Sequence, residues 1–174
     1  MINVTNSVVE DNKADVNAGG FYIHRSKVEI ADTAITRNKA IGGQVGGIFS
    51  IQSNVTLTSV EISGNLGGNT GGGMYVWAGR VVVDSSSINS NTATHGGGLY
   101  VKDFASTRLV NCTLWGNTAV HGSALYNELS TSSIISDTWT RIYDNSPPQA
   151  CLTGQYMNRT DNGEEQCEWC EGKL

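Results

Sequence analysis

An aliphatic residue followed three positions later by Asn recurs along most of this chain, as Val9/Asn12, Ile35/Asn38, Ile62/Asn65, Ile88/Asn91, Leu114/Asn117 and Ile142/Asn145. Successive Asn residues lie 26, 27, 26, 26 and 28 positions apart. A period of this length marks an array of one supersecondary unit, each copy burying its apolar face only against its neighbours. A second signal keeps the same beat. Gly19-Gly20, Gly46-Gly47, Gly72-Gly73 and Gly97-Gly98 each open an apolar run, with Gly122-Ser123 as a degraded fifth copy. Glycine there serves either a positive φ or a close approach of backbone.

Each unit predicts three short strands. The first follows the glycines: Phe21-Tyr22-Ile23, Ile48-Phe49-Ser50, Met74-Tyr75-Val76, Leu99-Tyr100-Val101 and Ala124-Leu125-Tyr126. The second reads Val28-Glu29-Ile30, Val55-Thr56-Leu57, Val81-Val82-Val83, Arg108-Leu109-Val110 and Ser133-Ile134-Ile135. The third ends at the aliphatic-x-x-Asn signal. Three strands in about 26 residues match one coil of a parallel β-helix, whereas a propeller blade needs four strands and a longer period. The predicted fold is therefore all-β: a right-handed parallel β-helix of about six coils over residues 1–149, with a short cysteine-rich tail over 150–174. Right-handedness follows from the hand of parallel crossovers.

Stacking accounts for the residue types. Coils lie ~4.8 Å apart, so each side chain sits over its equivalent and like groups form ladders. Asn pairs with itself through its amide, and the column Asn12, Asn38, Asn65, Asn91, Asn117 and Asn145 is read as a structural ladder serving turn backbone. Asn6, Asp32, Ser59, Ser85, Asn111 and Asp137 form a second column at the turn before the third strand, where short polar side chains bond their own backbone.

Composition narrows the function classes. Eleven Lys+Arg against sixteen Asp+Glu give a net charge of −5, the wrong sign for nucleic acid or an anionic membrane. No stretch approaches the eighteen apolar residues of a spanning helix, and a secretory signal is expected upstream of Met1. Four Asn-x-Thr sequons, at Asn3, Asn54, Asn111 and Asn158, are candidate N-glycosylation sites and point to an extracellular or cell-surface compartment.

The repeat Gly-Gly-apolar-aromatic followed by aliphatic-x-x-Asn resembles the polymorphic outer-membrane protein repeat and related β-helix repeats of surface proteins. The resemblance covers residues 1–145, with Val, Ile or Leu where members typically carry Phe. It implies adhesion or surface architecture and no catalytic residue. Cys151-Leu-Thr-Gly154-Gln-Tyr156 and Cys167-Glu-Trp-Cys170-Glu-Gly172 resemble the opening of an ephrin-receptor-like cysteine-rich module. That module is extracellular and disulfide-bonded. It implies bonding of Cys151, Cys167 and Cys170, with Cys151 to Cys167 the expected pair and Cys170 left for a partner beyond Leu174. A metal site there lacks a fourth ligand. Cys112 aligns with Val60 and is read as a small core residue.

Parallel β-helices also carry polysaccharide-active enzymes, which need carboxylates, cations or metal ligands converging on one outer face. Alternation in the first strand sends Tyr22/Phe49/Tyr75/Tyr100/Leu125 and His24/Ile51/Trp77/Lys102/Asn127 outward, columns without Asp or Glu. The rings Tyr22, Phe49, Tyr75, Trp77 and Tyr100 are then candidates for stacking on glycans or a protein partner, or an aromatic ladder that stabilises the sheet. His95 and His121 align one coil apart, close enough to share a metal, yet the column offers no further ligand and reads as a polar turn ladder. The reading is a non-catalytic structural or adhesive rod with no cofactor, its partners being other modules of the same chain or copies of itself end to end. Carbohydrate binding and polysaccharide lyase, epimerase or hydrolase activity are the alternatives.

Overall fold

A computed structural model describes residues 1–128 and 131–146 in full, and the backbone alone of Gln155–Arg159 and Glu165–Trp169. The repeat folds as a solenoid of parallel strands without helix among the described residues. The first sheet stacks six strands from Ile2–Thr5 to Ser133–Ser136, the second six parallel strands from Val8–Glu10 to Arg141–Tyr143, and the third five from Phe21–His24 to Leu125–Asn127. The described residues thus complete about five turns. A fourth extended segment, unforeseen, follows four of the six ladder Asn, as Lys13–Ala14, Lys39–Ala40, Thr92–His95 and Thr118–His121, while Leu66 and Ser146 after Asn65 and Asn145 make isolated bridges. Beyond the coils, Gln155–Arg159 and Glu165–Trp169 pair antiparallel, and Gln166 lies opposite Tyr143 at the end of the second sheet.

Aliphatic columns fill the lumen. Ile35, Ile62, Ile88 and Leu114 are fully buried on the second sheet, and Ile48, Met74 and Leu99 on the third. The corners obey a conformational rule. Asn6, Asp32, Ser59, Ser85 and Asn111 all take φ between +47° and +53°, as the second polar column requires of residues that tolerate the left-handed region. The residue before each ladder Asn is left-handed as well: Asp11, Arg37, Gly64, Ser90, Gly116 and Asp144. Only two of those six are Gly, so the conformation is imposed by stacking rather than by glycine.

The Gly pairs serve the other purpose considered for them. None has a positive φ. A Cβ on Gly47 would lie 2.2 Å from the carbonyl oxygen of Gly73, and one on Gly97 2.5 Å from that of Ser123. Bare backbone is needed because the next coil passes through the space a side chain would take.

Register departs from the sequence reading in the last two coils. Met74 pairs with Leu99, and Leu99 with Leu125, so Tyr126 rather than Leu125 lies beside Tyr100. Gly122 accordingly matches Gly96, both at positive φ, and Ser123-Ala124 occupy the glycine-pair positions just before the last strand of that sheet. In the first sheet Val81 pairs with Thr107 and Thr107 with Ile134, one residue earlier and one later than the apolar triplets suggest. The turn Asp103-Phe104-Ala105 also departs from the repeat. It is one residue longer than the two-residue Ala78-Gly79 turn of the coil before, with Asp103 and Phe104 both left-handed, and it compensates a shortened preceding segment.

Candidate functional site

The Asn corner is the most regular constellation in the molecule. Asn65 Oδ1 accepts the Asn38 backbone N–H at 2.9 Å and the Asn38 side-chain amide at 3.1 Å, while Asn65 Nδ2 donates to the Ile35 carbonyl at 2.9 Å and to Asn91 Oδ1 at 3.0 Å. The same bonds recur at Asn91 and Asn117 and close on Asn145. Asn38, Asn65, Asn91, Asn117 and Asn145 are buried; Asn12 is exposed and donates to Asn38 Oδ1 at 2.9 Å. A hydroxyl column runs parallel to it. Thr33 and Ser86 donate to carbonyls two residues back, and the Val60 N–H donates to Ser86 Oγ at 2.9 Å. Cys112 stands in this column, buried, its Sγ 3.1 Å from the Val110 carbonyl, and burial pushes its thiol up from the ordinary range.

The rings predicted to face outward do lie on the outer face of the third sheet, but three of the five are not open to solvent. Phe49, Tyr75 and Tyr100 are 2%, 5% and 5% exposed, forming with Val45 a second apolar cluster outside the lumen. The chain before each glycine pair causes this. Gly71 and Gly96 turn it back at positive φ so tightly that a Cβ would sit 3.0 Å from Tyr75 Cβ and 2.8 Å from Tyr100 Cβ. Phe49 stacks on Tyr75 at 4.6 Å, Tyr75 meets Tyr100 edge-on at 4.7 Å, and Tyr100 stacks on Tyr126 at 5.3 Å. Phe49, Tyr75 and Tyr100 therefore offer no face to a sugar, and of the five candidates only Tyr22 and Trp77 are open, at 50% and 37%.

Corrected register brings a carboxylate into the column read as free of acids. Glu128 follows Asn127 beside Lys102, whose Nζ lies 3.0 Å from it, and accepts a hydrogen bond from Tyr100 Oη. The Tyr100 hydroxyl, then Lys102, hold the Glu128 carboxyl below its usual range against partial burial, while burial first and Glu128 second push the Tyr100 hydroxyl up. His95 and His121 stack beside this group at 5.0 Å between centroids, and His95 meets Tyr126 edge-on at 5.4 Å. The signal that locates Tyr126 and Glu128 is present in the sequence: His95/His121 and Gly96/Gly122 share one 26-residue spacing, which sets Tyr126 under Tyr100.

Asn3, Asn54 and Asn111 are exposed, and so are Thr5 and Thr56 of their sequons. Asn158 lies in Gln155–Arg159, its side chain outside the described residues, as are Cys151, Cys170 and the side chain of Cys167. Among the described residues no three His, Cys, Asp or Glu side chains are grouped to hold a metal ion, and no helix is long and apolar enough to cross a membrane. Comparison with family models, curated proteins and solved structures finds no match to this chain.

Proposed function

We propose that this chain is a non-catalytic, right-handed β-helical rod, a structural or adhesive segment of a larger extracellular or cell-surface protein. One observation carries the reading: the repeated polar side chains bond neighbouring coils rather than converge on a ligand, as in the Asn ladder of six rungs. Five coil-to-coil steps of ~4.8 Å make a spacer of about 24 Å. Its partners are other modules of the same chain or copies of itself end to end.

Electron microscopy of the full natural protein tests the reading. A thin rod of constant width is expected, and turnover of a uronate or neutral polysaccharide by the chain would overturn it. The exposure of Tyr22 and Trp77 favours a second reading, glycan stacking on that face. Binding on a glycan array lost in Trp77→Ala would support it.

A further inference from the structure

We propose that His95 and His121 form an open, two-imidazole site for a divalent transition-metal ion of the nickel, copper or zinc kind. The two residues are partners in adjacent parallel strands, Thr92–His95 and Thr118–His121, so the backbone holds both side chains on one side of the coil. Their rings are nearly parallel, 25° between planes and 5.0 Å between centroids. Metal–imidazole bonds of about 2.0–2.1 Å bring two nitrogens within about 4 Å of each other, which small rotations of side chains at the surface supply.

Three neighbouring features prepare the pair. His95 Nδ1 lies 3.3 Å from the Asn69 carbonyl, so that nitrogen carries the proton and Nε2 presents its lone pair, the arrangement that fixes a ligating tautomer. The Tyr126 ring, edge-on at 5.4 Å, limits rotation of His95 on its other side. The Glu128 carboxylate, ion-paired with Lys102 Nζ at 3.0 Å, is near enough to His95 for the two to interact electrostatically, so the Lys102 charge is partly neutralised beside the imidazoles. His121 is exposed and His95 half-buried, so an ion reaches them without opening the fold. Water, or a donor from another molecule, fills the remaining coordination positions.

Titration of the full chain with nickel chloride, followed by calorimetry, tests the site. One ion per chain is expected, with affinity falling at least tenfold in His95→Gln and in His121→Gln and unchanged in His24→Gln. Gln44 occupies the same column two coils earlier, so both Gln variants should melt like the parent without metal. Binding should also vanish on acidification, since only neutral imidazole ligates. Absence of saturable binding would overturn the proposal, as would binding by both variants as tight as the parent's, which would place the ion elsewhere on the chain.

Discussion

Two corners of the solenoid are built from columns of like residues, yet they hold together differently. At the Asn corner the four inner rungs, Asn38, Asn65, Asn91 and Asn117, make the same bonds, and each amide serves a backbone N–H, a backbone carbonyl and its own neighbours. At the aromatic corner the geometry alternates between stacked and edge-on pairs, and burial comes from a chain segment folded across the rings rather than from the column itself. A ladder that satisfies itself needs only the next coil. A ladder that must be covered needs a further element, so its meaning cannot be taken from its own residues.

Truncation should separate the two corners most sharply. Phe49→Ala removes a ring that is 2% exposed and stacked on Tyr75, and is expected to cost about 3–5 kcal/mol in chemical denaturation. Tyr22→Ala, half exposed in the same column, should stay within about 0.5 kcal/mol. Equal losses would mean that the covering segment does not seal the column. Asn65→Leu comes next, at about 1–3 kcal/mol, because it strands the Asn38 N–H and the Ile35 carbonyl in the interior. An unchanged melt would show that water can replace the amide.

A smaller effect of opposite sign is expected between the corners. Thr107 points into the lumen, fully buried, with no partner for its hydroxyl, and Thr107→Val should stabilise by about 1 kcal/mol. Loss of stability instead would reveal a bonded hydroxyl. The smallest effect concerns the open end of the aromatic corner. Glu128 ionises more readily in the fold than its ordinary value of 4.5, through Tyr100 and Lys102. Its contribution is therefore fully present above that pH and is lost as pH falls through the lowered value. The acid limb of a melting-temperature profile should flatten in Glu128→Gln, and an identical limb would show the carboxylate to be unengaged.

Much of this was legible from residue identity. The 26-residue beat named the fold because identical neighbours force identical side chains together, and the short polar side chains Asn6, Asp32, Ser59 and Ser85 announced a tight turn, which the structure makes with a left-handed backbone at each. The two last coils misled because inward positions there are polar. Thr107 and Ser136 face the lumen, so the apolar run Leu109-Val110 and the pair Ile134-Ile135 suggested a frame one residue away from the real one.

The sequence by itself determined the period, the ladders and the parallel stacking, all of which follow from contacts between equivalent residues one coil apart. Only the tertiary structure decided that the Gly pairs make room for backbone rather than turn it, since that depends on a carbonyl 2.2 Å away in another coil. It also decided that Phe49, Tyr75 and Tyr100 are buried and that Glu128 joins Lys102 and Tyr100. Those outcomes rest on where a connecting segment folds and on the register of Leu99 with Leu125, and the apolar triplets give neither.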